Sequence, residues 1–178
     1  MTRGALALAV TIALASPVAA QSPAGQIADV AGSGVAGALE LQAGYAGFVD
    51  DATIDHAVLG GGVRFHLTRR LSVGPELVYM RGPGSDRDLF ITGNVTYDFA
   101  GSGGRPARVT PFVIAGAGMM RHRSRFGPST FSSNEGAFTA GGGVRVRLSD
   151  RLLAGADARC GWELHCRITG SLGLTFGR

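Results

Sequence analysis

The chain contains no lysine. All 17 basic residues are arginines, set against 13 acidic residues and scattered singly. A nucleic-acid surface needs basic residues clustered on one face, so no nucleic-acid partner is expected. Charged residues make up only 17% of the chain and aromatics 7%, and there are just two cysteines, Cys160 and Cys166. Two cysteines cannot build a Cys-rich zinc module. His165 beside Cys166 would point to the opposite strand face, so no convergent set of four ligands is visible and neither metal nor cofactor is expected. No phosphate-cradling glycine loop and no nucleophile–base–acid set stands out, which argues against an enzyme. Long apolar runs are missing as well. The longest, Ala5 to Ala15, falls short of the roughly 20 residues a spanning helix requires. What is abundant is glycine, 29 residues, in a chain of 178 that is 45% hydrophobic. That is too apolar for disorder and enough for one domain.

Arg3, the apolar run and Val18-Ala19-Ala20 form the positive, hydrophobic and small-residue parts of a signal peptide over 1–20. Residues 21–35 are Ser, Pro, Gly and Ala with few large apolar groups, and read as a flexible periplasmic lead-in. The folded domain is expected over 36–178. Export would place Cys160 and Cys166 where a disulfide persists.

Within that domain, segments of roughly 10 to 13 residues alternate in polarity and are separated by turn residues, the spacing of transmembrane β-strands. Eight are expected: Ala38 to Phe48, His56 to Leu67, Leu71 to Met80, Leu89 to Phe99, Val109 to Met120, Ala137 to Leu148, Leu152 to Trp162 and His165 to Phe176. A strand with lipid on one side and a lumen on the other must keep its charges on alternate positions. In the second segment Leu59, Val63 and Phe65 oppose His56, Arg64 and His66; in the eighth Ile168, Leu172 and Leu174 oppose Arg167, Thr169 and Ser171. The fifth is apolar on both faces and is the least diagnostic. The predicted fold is an all-β, eight-stranded, antiparallel up-and-down transmembrane barrel.

An internal repeat supports this division. Gly60-Gly61-Gly62-Val63-Arg64 recurs as Gly141-Gly142-Gly143-Val144-Arg145, and the register holds through Leu71 and Leu152 to Glu76 and Asp157. Short connections at Thr68 to Arg70, Ala100 to Arg108 and Ser149 to Arg151 are expected on the periplasmic side. Longer loops at Val49 to Asp55, Arg81 to Asp88 and Arg121 to Gly136 are expected outside.

The Gly-Gly-Gly-Val-Arg hairpins, the strand Leu71-Ser72-Val73-Gly74-Pro75-Glu76-Leu77 and the final Leu172-Gly173-Leu174-Thr175-Phe176 together resemble small outer-membrane barrels of the OmpA and OmpX type, grouped broadly with porin-family proteins. The likeness covers roughly 35–178. It implies a monomer in the Gram-negative outer membrane, surrounded by lipid and lipopolysaccharide. The terminal strand, whose Phe176 is followed by Gly177 and Arg178, resembles the signal read by the barrel-assembly machinery.

Eight strands enclose only enough space for side chains. The inward set, Glu40, Arg64, Glu76, Asp98, Arg145, Arg147, Asp157, Arg159 and Arg167, mixes both signs and is expected to form an ion-pair network, with Arg64 and Arg145 pairing to Glu76 and Asp157 on neighbouring strands. Cys160 and Cys166 share parity and could bridge the last hairpin. Arg121, His122, Arg123 and Arg125, at the root of the longest outer loop, could meet lipopolysaccharide phosphates or simply be solvated. Phe126 and Phe131 are the large apolar groups of that loop. A structural or surface-interaction barrel is the first reading. A narrow channel, a lipid A-modifying barrel and a soluble lipocalin-like barrel stay open. His122 and Ser124 resemble the spacing of a lipid A deacylase pair, but Arg125 follows them and no acidic residue is near in sequence.

Overall fold

The computed structural model describes residues 36–49, 53–99, 108–127, 129–162 and 165–177; the segments read as signal peptide and lead-in lie outside the described residues. Eight strands follow in order: β1 (Gly37–Val49), β2 (Thr53–His66), β3 (Leu71–Arg81), β4 (Arg87–Asp98), β5 (Val109–Phe126), β6 (Ser129–Arg147), β7 (Leu152–Gly161) and β8 (His165–Phe176). Each pairs antiparallel with the next, and β1 pairs with β8 from Gly37↔Phe176 to Phe48↔His165, closing the barrel without an edge.

The alternation sorts the side chains by face. Leu41, Leu59 and Ile168 point outward and are 65%, 64% and 66% exposed, whereas the inward Glu76 and Arg167 are 7% and 1% exposed. This apolar-outside, polar-inside order is the reverse of a lipocalin-like barrel, which would hide its apolar face. Seven of the aromatics form two outward girdles. Tyr97, Phe99 and Phe176 lie toward the end with the short turns; Tyr45, Tyr79, Phe138 and Trp162 lie toward the other. Leu89 to Phe99 spans about 33 Å along the chain at ~3.3 Å per residue. Tilted by about 40°, that gives about 25 Å, the height of an outer-membrane apolar band.

Both halves of the sequence repeat make the same turn. Leu67 N–H donates to Leu71 O (2.9 Å), and Thr68 Oγ1 accepts from the N–H of Arg70 and Leu71. Leu148 N–H donates to Leu152 O (2.9 Å), with Ser149 Oγ in the role of Thr68 Oγ1. A hydroxyl in first position thus satisfies the turn amides in both places.

The opposite end departs from expectation. Arg121 to Gly136 is not a loop, because β5 runs to Phe126 and β6 starts at Ser129, paired continuously through Arg121↔Asn134, Arg123↔Ser132 and Arg125↔Thr130. Gly127, at φ 58°, sits in the intervening turn. Both faces of this extension carry mostly polar residues, so the period that marks a strand by hydrophobicity is absent from its sequence. β2 likewise begins at Thr53 and β4 at Arg87, shortening the other two expected loops.

Candidate functional sites in the lumen and on the rim

Two layers of ion pairs fill the lumen from the short-turn end. In the first, Arg64 Nη2 lies 2.9 Å from Glu40 Oε1 and Nη1 3.3 Å from Asp98 Oδ2. Arg145 Nη1 is 2.6 Å from Asp98 Oδ1 and its Nε 3.5 Å from Glu40 Oε1. The Arg145 guanidinium also sits 3.7 Å over the Phe112 ring. In the second layer Glu76 accepts from Arg159 (3.0 Å), Arg167 (2.8 Å), Gln42 Nε2 (2.6 Å) and Asn94 Nδ2 (3.0 Å). Asp157 accepts from Arg159 Nε (2.8 Å) and Thr169 Oγ1 (3.2 Å). Each layer sets two guanidiniums against two carboxylates, so its formal charge is zero. Residual space here is about 40 Å³, room for a few waters at most.

The pairing differs from the sequence expectation. Arg64 and Arg145 meet Glu40 and Asp98, not Glu76 and Asp157. Gly62 stands opposite Glu76 and Gly143 opposite Asp157, each one inward step from its arginine, and the guanidiniums instead meet Glu40 of β1 and Asp98 of β4. The triplet glycines make room for this. A Cβ on Gly143 would stand 2.7 Å from Asp157 Cβ. Arg147, expected inside, is exposed at the short-turn mouth, where β6 ends and water reaches the side chain.

Toward the other end the charged layers give way to an apolar plug of Ala46, Val58, Val78, Met80, Phe90, Met120 and Ala137. Above it, His56 Nε2 lies 3.1 Å from Asp86 Oδ2 and 3.3 Å from Asp88 Oδ2. His122 Nδ1 is 2.7 Å from Asp88 Oδ1 and 3.5 Å from Asp86 Oδ1. The sequence reading missed this group because its members come from β2, β4, β5 and the β3–β4 turn. Inward parity was the available signal for His56, Asp88 and His122. Asp88 also supplies the acidic neighbour that His122 lacks in sequence. Among the described residues no hydrogen bond joins His122 to Ser124; the His122 ring bonds Asp88 instead.

His122 is therefore separated from its arginine neighbours, which alternate onto the outer surface. Arg121, Arg123 and Arg125 are all exposed there. Two arginines assigned to a loop from sequence join them: the ladders set Arg81 opposite Arg87 and Arg87 opposite Arg123, with Arg121 opposite Leu89. This basic group begins where the outward apolar residues Tyr79, Leu89 and Met119 end. Phe131 is exposed on the extended hairpin, its ring centroid 6.2 Å from that of His122; the Phe126 side chain lies outside the described residues. Cys160 and Cys166 face each other across β7 and β8 on the outer surface and are joined by a disulfide.

No family model and no curated protein matches the chain. Among solved structures it is similar to Neisserial surface protein A, with a TM-score of 0.66 and 11% identity over 82% of this chain and 99% of that one. The N-terminal β-barrel domain of Pseudomonas aeruginosa OprF aligns with a TM-score of 0.61 and 14% identity, over 78% and 97% of the two chains. Ail of Yersinia pestis, solved with the heparin analogue sucrose octasulfate, aligns with a TM-score of 0.54 and 14% identity over 80% and 99%. At such identities the likeness is one of fold, and the fold is that of the small eight-stranded outer-membrane barrels.

Proposed function

We propose that this chain is an outer-membrane barrel with a closed, ion-paired lumen that acts at the cell surface, binding phosphorylated or sulfated saccharides, lipopolysaccharide first among them, on the arginine rim. The observation that carries this reading is the Arg81–Arg87–Arg123 row, which borders the apolar band at the height of lipid headgroups. Like charges directly opposite on neighbouring strands repel, so such a row is costly unless anions lie between them. Arginine suits that role because its planar fork matches phosphate and sulfate oxygens two at a time. The longest hairpin then faces outward and the short turns face the periplasm. The complex of Ail with a sulfated heparin analogue supports the same chemistry on the same fold.

The two neutral ion-pair layers and the apolar plug favour a scaffold over a channel, and planar-bilayer recordings are expected to show no single-channel conductance. The binding claim is tested with refolded protein in nanodiscs, comparing intact with enzymatically dephosphorylated lipopolysaccharide at two salt concentrations. Intact lipopolysaccharide is expected to bind at least about tenfold more tightly, a difference of about 1.4 kcal/mol, and the gap should narrow in high salt. Equal affinity for the two forms would overturn the proposal.

A further inference from the structure

We infer that the cluster at the outer end of the lumen is a divalent metal site, built by His56, Asp86 and Asp88 and steadied by His122, with zinc the cation it fits best. His56 Nε2, Asp86 Oδ2 and Asp88 Oδ2 converge from a strand, a turn and a second strand, and the three potential ligand atoms lie within 4.8 Å of one another. Their separations from the imidazole, 3.1 and 3.3 Å, compare with the about 3.3–3.6 Å expected between ligands of a tetrahedral zinc bonded at 2.0–2.2 Å. A mixed nitrogen and carboxylate donor set suits zinc.

Three independent features point to a cation. The first is the imidazole itself. His56 Nδ1 is 3.2 Å from Ile54 O, a carbonyl that can only accept, so Nδ1 is the donor. In neutral histidine the lone pair is then on Nε2, the atom facing two carboxylate oxygens. Three acceptors turned toward one point require a proton or a cation between them, and a metal ion meets all three at once. A backbone carbonyl on the far nitrogen is also the usual way a metal-binding histidine is oriented.

The second feature is charge balance. In both lower layers every carboxylate has its own guanidinium, but here Asp86 and Asp88 face only imidazoles, because Arg87 and Arg121 point outside. Asp86 Oδ1 is buried without a hydrogen-bond partner. A dication would neutralise the pair as arginines do below.

The third is the space. A Cβ on Gly82 would stand 2.5 Å from His56 Nε2 and 2.8 Å from Asp86 Oδ2, so glycine keeps open the ground beside the two ligand atoms. The turn is fixed in place by Gly82 N–H donating to Asp86 O (3.1 Å) and Asp86 N–H to Pro83 O (3.2 Å). His122 holds the second oxygen of Asp88 and, with Asp86, leaves the cluster partly open to solvent; their side chains are 30% and 19% exposed against 2% for His56. A cation can therefore enter from outside, and once bound it would tie β2 to the β3–β4 hairpin across the mouth.

The test uses tag-free, chelator-treated protein refolded in lipopolysaccharide-free detergent micelles and titrated with Zn²⁺ by calorimetry, with X-ray absorption of the loaded protein. One zinc per chain is expected, coordinated by nitrogen and oxygen without sulfur. Gly82→Ala fills the cradle while every donor residue is kept. It should weaken binding by about 10–100-fold, as should His122→Gln, while far-UV circular dichroism stays that of the barrel. His56→Gln and Asp86→Asn should each lose at least that much. If zinc fails to bind, or binds Gly82→Ala and Asp86→Asn as tightly as the parent, the inference is overturned. Asp86 lies in a turn and Gly82→Ala keeps all the donors, so a folding failure in His56→Gln leaves both tests standing.

Discussion

The arginines inside the barrel and those on its outer rim are the same residue type on strands of one sheet: Arg64, Arg145, Arg159 and Arg167 on β2, β6, β7 and β8 point inward, whereas Arg81, Arg87 and Arg123 on β3, β4 and β5 point outward near the outer end. Arg64, Arg145, Arg159 and Arg167 are nearly inaccessible and each touches at least one carboxylate within 3.5 Å. Arg81, Arg87 and Arg123 are exposed and face other arginines. Inside, desolvation costs several kcal/mol per ion and forces pairing. Outside, water and salt reduce the repulsion without removing it, and anions bound between the arginines would relieve the rest. A charge on this scaffold is structural or available for binding according to which face it meets.

The sharpest way to break that contrast is to unpair the interior. Glu76→Ala would leave Arg159 and Arg167 without their shared acceptor and should destabilise the barrel by about 3–5 kcal/mol in urea unfolding from micelles or vesicles. A loss below 1 kcal/mol would mean water already solvates the layer. Next comes an arginine placed on the wrong part of the outer face. Ile91, 54% exposed, lies on the same face of β4 as Arg87 but within the apolar band, so Ile91→Arg should cost about 2–4 kcal/mol in lipid vesicles. Little change there would show that the band is not in contact with hydrocarbon.

Removing the disulfide with Cys160→Ser and Cys166→Ser should lower unfolding stability by about 2 kcal/mol at most, since the closed loop is short. The smallest stability effect belongs to the rim. Arg87→Gln, Arg121→Gln and Arg123→Gln combined should change unfolding by less than about 0.5 kcal/mol, yet reduce lipopolysaccharide affinity and flatten its salt dependence. A large stability loss would place these arginines in the interior class.

Where the bilayer imposes a period of two, the chain is readable: β3 and β8 begin at Leu71 and His165 as their alternation suggests, and the two Gly-Gly-Gly-Val-Arg units mark equivalent hairpins. Past the apolar band neither face has to be greasy, which is why Arg121 to Gly136 reads as a loop and folds as strand. Parity also carries Arg64 and Arg145 to the inside but says nothing of their partners. Those depend on how tilted strands bring β1, β2, β4 and β6 around one layer. The grouping of His56, Asp86 and Asp88 is harder still to read, because strands distant in sequence and a turn with its own hydrogen bonds must all close on one point.

By itself the sequence determined the number of strands, the face of most side chains and the polarity of the closed barrel, because alternation is a local property that hydrocarbon on one side enforces. Tertiary structure alone decided which arginine meets which carboxylate, which arginines form a row on the rim and which acids meet at the mouth. Those are matters of tilt, register and closure, and a one-dimensional pattern does not contain them.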